Sequence, residues 1–192
     1  MQKHIFNIDT VLLTQRAVVR RFRESDGESL YELFQNNHSR LSDHFQDTLL
    51  LVKEKADTEF FVRQKLARWL LQEEYCFGIW ENENAQLIGY VSLFNIDWYI
   101  PEARLTFFID KEHSKRGLMT EVLLHITRFA FEQLQLERIY MRTAQDNYPA
   151  QRLARKCGYR REGDLRNAYR KQSGELLDLM LIALTRAEYE KA

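Results

Sequence analysis

The order in which hydrophobic periodicity changes along the chain restricts its fold more than any other feature. Between Tyr75 and Leu184 apolar residues recur at strand spacing, then at helical spacing, then at strand spacing again. Tyr75 to Trp80 and Gln86 to Phe94 read as a hairpin around the Asn-rich turn Glu81-Asn82-Glu83-Asn84. Pro101-Glu102 restarts a strand, Ala103 to Ile109. A long amphipathic helix is expected from Gly117 to Leu134, with Val122, Leu123, Ile126, Phe129, Ala130 and Leu134 on one side. Arg138 to Thr143 is a short strand, and Pro149 to Lys156 a short helix stopped by Gly158. Tyr159 to Tyr169 and Leu176 to Leu184 close the chain as a hairpin around Lys171-Gln172-Ser173-Gly174. Upstream, Thr10 to Phe22 reads as one strand, and Ser25-Asp26 caps a helix ending near Asn36, with Glu28 three residues after Ser25. Asp57 or Thr58 starts a further helix, in which Phe61, Leu66, Trp69 and Leu70 recur. This order belongs to an α/β (α+β) chain, a mixed sheet with helices on both faces.

Two prolines, seven glycines and the lack of a Ser/Gly-rich linker leave no natural division, so residues 1–192 are expected to form a single domain. Lys plus Arg equals Asp plus Glu, 28 against 28, which removes any global attraction to nucleic acid or membrane. Neither a signal-type leader nor a membrane-length apolar run is present, so a cytoplasmic protein is expected. Cys76 and Cys157 have no CxxC partner and no nearby His ligands; they read as small buried hydrophobes, and no metal site is expected.

Locally the charge is uneven. Lys111, Lys115 and Arg116 surround His113, and Arg152, Arg155, Lys156, Arg160 and Arg161 follow one another without an acid. The first of these patches lies where a strand, ending at Asp110, passes through Lys111-Glu112-His113-Ser114-Lys115-Arg116-Gly117 into a helix at Leu118. A helix start leaves its first N–H groups unpaired and carries the positive end of the helix dipole, which suits a phosphate or pyrophosphate. Gly117 allows close backbone approach, and each charged hydrogen bond adds about 1.5–3 kcal/mol. An ordinary loop into an amphipathic helix would carry the same residues, so the loop alone does not decide.

The downstream context adds a resemblance. Asn147-Tyr148-Pro149-Ala150-Gln151-Arg152-Leu153-Ala154-Arg155-Lys156-Cys157-Gly158-Tyr159 is similar to the Asn-x-x-Ser-x-x-x-x-x-Lys-x-Gly-Phe element of the GNAT N-acetyltransferase superfamily. The loop before Leu118 lies where that superfamily has Gln/Arg-x-x-Gly-x-Gly/Ala. Asn95-Ile96-Asp97, Arg161-Glu162-Gly163 and Asp178 match positions common in its ribosomal-protein N-terminal acetyltransferase (RimJ/RimL-like) group. The resemblance runs from Leu13 through Leu184. It implies a mostly antiparallel acyl-CoA N-acyltransferase fold whose middle strands, Ala103–Asp110 and Arg138–Thr143, splay apart. Acetyl-CoA would be the co-substrate. Its pantetheine would lie between the splayed strands near Phe107, Phe108 and Ile109, and its pyrophosphate on Ser114, Lys115, Arg116, Gly117, Leu118, Met119 and Thr120. Asn147 would bond the pantetheine arm, or cap the helix ahead of Pro149, or both. Arg152 and Lys156, one turn apart, would reach the phosphates or only face solvent.

The chain departs from that pattern in several places. Ser114 sits where Gln or Arg is usual, Lys115 replaces a common Gly, and Met119 replaces the last Gly or Ala and is expected to tighten the approach. Arg104 stands where the group often has Glu, Ala150 where Ser is common, and Ala154 where many members use Tyr as an acid. The remaining candidates are Asp97 and Glu102 as bases acting through water, and Tyr148 as a proton donor. The acceptor implied is a primary amine, foremost a protein or peptide N-terminus, with small amines such as polyamines or aminoglycosides as the alternative. Asp43, Asp47, Glu54 and Asp57 would suit a cationic partner. A coenzyme sensor that kept the fold and lost its acid–base residues is the non-enzymatic reading. Trp98 and Tyr99 are expected to be exposed, at the active-site rim or at a homodimer contact.

Overall fold

Among the described residues, runs rich in β-branched and aromatic residues form eight strands: β1 (Val11–Leu13), β2 (Ala17–Arg21), β3 (Tyr75–Glu81), β4 (Leu87–Asp97), β5 (Glu102–Ile109), β6 (Arg138–Ala144), β7 (Arg160–Arg170) and β8 (Leu176–Thr185). The computed structural model of the chain describes residues 9–42, 45–171 and 173–191. The strands make one sheet in the order β1-β2-β3-β4-β5-β6-β8-β7. Neighbours are antiparallel throughout except β5 and β6, which run parallel. The mixed, mostly antiparallel sheet is the one expected.

Helices are α1 (Gly27–Asn36), α2 (His38–Leu41), α3 (Gln46–Leu51), α4 (Lys55–Leu70), α5 (Leu118–Arg128), α6 (Tyr148–Lys156) and α7 (Arg186–Tyr189). They cover two apolar cores, one on each side of the sheet. On one side Ile79, Val91 and Leu105 of the strands meet Val122, Ile126 and Phe129. On the other, Tyr90 and Phe108 meet Leu30, Leu33 and Phe34 of α1 and Phe61 and Val62 of α4. Alternation within each strand divides the residues between the two cores.

Several local readings change. Thr10 to Phe22 is two strands, because Thr14 folds the chain back: its N–H donates to the Ala17 carbonyl at 2.9 Å and its Oγ1 accepts from the Ala17 N–H at 3.0 Å. A side chain that satisfies its own turn competes with the ladder. Ser25 does not cap α1. Instead Asp26 accepts from the Arg23 N–H at 2.6 Å and pairs with both outer nitrogens of Arg20, at 2.8 and 3.0 Å. Helix α4 starts at Lys55, before Asp57, whose carboxylate accepts from the Glu54 N–H at 3.0 Å; its Leu70 is exposed rather than buried. The helix expected to reach Leu134 is α-helical only to Arg128. Phe129–Gln133 is a π turn in which the Leu134 N–H reaches back to the Phe129 carbonyl at 3.1 Å. The wide turn buries Phe129, Ala130 and Phe131 in succession, bringing them onto a narrower arc than the 100° step of an α-helix would.

Cys76 and Cys157 are buried free thiols, and desolvation pushes the Cys157 thiol up to about 11, so it stays protonated at neutral pH. Trp98 and Tyr99 are exposed, with the Trp98 indole N–H donating to the Gln72 carbonyl at 3.1 Å. Phe129 is 1% exposed and lies edge-on to Tyr75 and Phe77 at 5.8 and 5.3 Å. Phe129→Ala is therefore expected to cost about 3–5 kcal/mol of unfolding free energy, measurable by urea denaturation.

Candidate functional site

The site begins where strand pairing fails. β5 and β6 pair only at Glu102↔Arg138, Ala103↔Ile139 and Arg104↔Tyr140. Beyond that point β5 stays with β4 as far as Gly89↔Ile109, and β6 stays with β8 as far as Ala144↔Leu179. Each strand follows its antiparallel neighbour, so the two diverge and the facing edge from Leu105 to Ile109 has no partner strand. A cleft occupies the gap, lined by residues of β5, β6 and α6 together with Phe45, Tyr169 and Leu179. The splayed pair expected from the resemblance is present.

The open edge leads directly into the basic loop. Asp110 accepts from the Glu112 N–H at 2.7 Å and from the Asn37 side-chain amide at 2.7 Å, while the Asn37 oxygen accepts from the Lys111 N–H at 3.1 Å. Asn37 is 2% exposed, so this clamp is built into the core edge of α1. Ser114 Oγ donates to the Lys111 carbonyl at 2.6 Å. Lys115 and Gly117 have φ of 64° and 80°, the left-handed region that glycine enters at no steric cost. The Gly117 carbonyl takes the first helical bonds, from the N–H groups of Thr120 at 3.0 Å and Glu121 at 3.3 Å. Among the described residues the N–H groups of Gly117, Leu118 and Met119 find no acceptor, which is the arrangement that receives an anion. Arg16 pins the loop from across the sheet, donating to the Arg116 carbonyl at 2.5 Å and pairing with Glu121 at 3.2 Å.

The other expected coenzyme residues divide by side chain. Leu118 and Met119 are buried in the core under the loop, so Met119 does not crowd the outer face of the turn as expected. Thr120 is partly buried, and its carbonyl accepts from the Cys157 thiol at 3.9 Å, which sets the end of α6 against the start of α5. Arg152 and Lys156 are exposed on α6. Asn147 caps α6, accepting from the Ala150 N–H at 3.3 Å, and also lines the cleft. Phe107 lines the cleft too. Phe108 instead packs against Phe34 and Phe45 at 5.5 and 5.3 Å, and the Ile109 carbonyl already accepts from Arg40 at 3.0 Å.

None of the three acid–base candidates lines the cleft. Asp97 accepts from the N–H groups of Tyr99 at 2.7 Å and Ile100 at 3.0 Å, forming the β4–β5 turn at the closed end of the strand pair. Glu102 pairs with Arg138 at 2.5 Å, and Arg138 in turn with Glu162. Tyr148 is 61% exposed in the first turn of α6. Of the acids expected to suit a cationic partner, Glu54 and Asp57 form the start of α4; Asp43 and the Asp47 side chain lie outside the described residues.

Sequence reading missed Thr143, Arg142, Thr106, Phe45 and Tyr169 in the cleft lining. Thr143 is 7% exposed, and its Oγ1 has no hydrogen-bond partner among the described residues. Its signal was available: it continues the alternation Ile139, Met141, Thr143 on the apolar face of β6, a hydroxyl where an aliphatic side chain fits.

A sheet opened between two parallel strands, with unpaired N–H groups at the end of the opening, suits an extended ligand that carries a phosphate at one end. The sequence model of the acetyltransferase (GNAT) domain matches residues 16–160, and the chain belongs to that family of acetyl-CoA-dependent N-acetyltransferases. It is 25% identical over 183 residues, 94% of this chain and 97% of the other, to a Bacillus subtilis (strain 168) protein named "Putative ribosomal N-acetyltransferase YdaF". It is 31% identical to the spermidine N(1)-acetyltransferase of Vibrio cholerae over 85 residues, 44% of this chain and 49% of that one. A solved structure of RimL, the ribosomal L7/L12 alpha-N-protein acetyltransferase, in complex with coenzyme A has the same fold. Its TM-score is 0.83 at 17% identity, covering 91% of this chain and 97% of RimL. No helix among the described residues is long and apolar enough to cross a membrane.

The loop clamp has a pH signature. Burial alone would raise the Asp110 carboxyl, but hydrogen bonds from the Asn37 amide and the Glu112 N–H, with the His113 imidazole 3.6 Å away, outweigh it and hold it below its ordinary 3.8. A lowered carboxyl contributes stability that is complete above the unfolded value and is lost as pH falls through the folded one. Asp110→Asn should cost about 1–3 kcal/mol at pH 7. In thermal melts run down the pH scale, its difference from wild type should shrink below pH 3.8.

Proposed function

We propose that the protein transfers the acetyl group of acetyl-CoA to a primary amine, foremost the N-terminus of a protein or peptide. One observation carries the reading: the unpaired N–H groups of Gly117, Leu118 and Met119 stand at the end of the unpaired edge of β5. An extended ligand with amides along its length and a pyrophosphate at one end satisfies both. In this reading the N–H groups and the cations Lys115, Arg116, Arg152 and Lys156 hold the phosphates. Asn147, the strand edge at Phe107 and the Thr143 hydroxyl meet the pantetheine arm. The ribosomal acceptor class draws on the likeness to YdaF along nearly the full chain. A small-amine acceptor is the second reading, favoured by the shorter likeness to spermidine N(1)-acetyltransferase.

The chemistry asks little of acid–base side chains. An amine with pKa near 8 releases its proton to solvent, its nitrogen bonds the thioester carbon, the C–S bond breaks, and the departing thiolate takes a proton. Holding the two reactants together in a partly dry cleft supplies much of the acceleration. Asp97 stands in a turn, Glu102 in an ion pair and Tyr148 in solvent, and in this reading water carries the proton transfers.

Thiol release from acetyl-CoA with a panel of peptides and amines tests the reading; calorimetric binding of coenzyme without turnover of any acceptor would favour a sensor. Gly117→Ala should relax φ away from the left-handed region, a preference of about 1–2 kcal/mol, and turn the N–H groups out of line. Calorimetry should show acetyl-CoA binding weakened roughly tenfold. Asp97→Asn, Glu102→Gln and Tyr148→Phe should each stay well short of the roughly 100-fold fall in kcat that loss of a general base or acid brings.

A further inference from the structure

The wall that β6 gives the cleft holds a hydroxyl that the fold itself does not use. Thr143 lines the cleft and is 7% exposed, yet its Oγ1 has no hydrogen-bond partner among the described residues. Leu105, Phe107, Met141 and Leu179 line the same cleft. A valine would fill the site equally well and leave no polar atom to satisfy, so the hydroxyl opposes folding unless a ligand meets it. Its backbone is fixed. Thr143 pairs with Met180 in the β6–β8 ladder, and the adjoining Ala144 carbonyl accepts from the Asn147 N–H at 3.1 Å and the Gln151 side-chain amide at 3.2 Å. A β-branched side chain on a fixed backbone has few rotamers, so the hydroxyl is aimed in advance. Helix α6 adds Asn147 and Ala150 to the lining. Ala150 offers no side-chain donor, and Asn147 commits its side-chain oxygen to the Ala150 N–H at 3.3 Å.

We propose that Thr143 is a catalytic residue of the transfer step, its hydroxyl donating a hydrogen bond to the sulfur of the departing coenzyme A. The inference rests on the N-acetyltransferase reading and gives its leaving group a donor. With the phosphates held beyond the far end of β5, the arm runs inward along the open edge, toward the point where β5 and β6 part. Thr143 stands there, three residues past Tyr140, the last residue of β6 to pair with β5. As the amine nitrogen bonds the acetyl carbon, the C–S bond breaks and its electron pair passes to sulfur. The surplus proton on nitrogen goes to solvent, and water protonates the thiolate. Thr143 keeps its own proton, because an aliphatic hydroxyl is a much weaker acid than a thiol. A thioester sulfur is a weak acceptor and a thiolate a strong one. The bond therefore strengthens as charge develops, which lowers the barrier without tightening the hold on acetyl-CoA.

The experiment binds coenzyme A to the wild type, Thr143→Val and Thr143→Ser, and titrates the coenzyme thiol by its ultraviolet thiolate absorbance with the coenzyme-free protein subtracted. Burial holds the Cys76 and Cys157 thiols above their ordinary range, which keeps them out of this titration. Arg104, Arg142 and Tyr169 of the lining are common to all three proteins, so a difference between them reports the hydroxyl. Thr143→Val should raise the midpoint by about one pH unit, a tenfold loss of thiolate at fixed pH. Its kcat with any amine that is acetylated should fall about tenfold, while acetyl-CoA binding by calorimetry changes less than about twofold. Thr143→Ser should return both quantities to within about threefold of wild type. Thr143→Val should also melt no lower than wild type, since it removes an unpaired polar atom. Equal midpoints in wild type and Thr143→Val overturn the proposal, and so does a clearly lowered melting temperature, which would make the hydroxyl structural. A shifted midpoint with no amine acetylated keeps the contact with sulfur and removes the transferase reading. Failure to bind coenzyme A removes both.

Discussion

The parallel pairing of β5 with β6 ends after Arg104↔Tyr140, and the rest of the site depends on that ending. Strands inside a sheet normally pair along both sides, because unpaired backbone groups away from water are costly. Here two strands are each held along their length by an antiparallel neighbour, β4 on one side and β8 on the other. Neither can follow the other without breaking a longer ladder. The opening is thus a stable outcome of competing pairings, present before any ligand arrives.

The two cores give the opening rigid backing. One packs the π turn and α5 beneath it, the other packs α1 and α4 above. Between them the loop Asp110–Gly117 is fixed from two directions, by Asn37 at the end of α1 and by Arg16 in the β1–β2 turn. Preorganised N–H groups bind an anion without first breaking bonds of their own, which is where such a turn gains over a flexible basic segment.

Much of this was legible in the sequence. Alternation and helical spacing located β3 to β8 and the major helices, and Gly117 before an amphipathic run located the turn into α5. What failed was local. Thr14 satisfies its own turn, a side-chain competition that strand propensity does not register. Phe129 to Phe131 are apolar in both α and π geometry, so periodicity could not tell a continued helix from a widened one. Met119 reads as tightening the approach because it replaces a small residue of the family pattern; the helix phase turns its side chain to the core. The acid–base candidates were chosen by residue type near the acceptor side, and which carboxylates are absorbed by turns and ion pairs is a tertiary fact. Arg142 and Thr143 entered the cleft only once β6 was seen to part from β5.

The loop's anchors come from far away in the chain. Asn37 reaches Asp110 across 73 positions, and Arg16 reaches the Arg116 carbonyl across 100. The anion-receiving turn therefore exists only when the amino-terminal hairpin and α1 have docked. Linkage runs in both directions: a ligand that binds the assembled turn stabilises the docking of those distant segments by the free energy of its own binding. Occupancy of the turn by any such ligand and the docking of the β1–β2 hairpin and α1 would then be a single equilibrium.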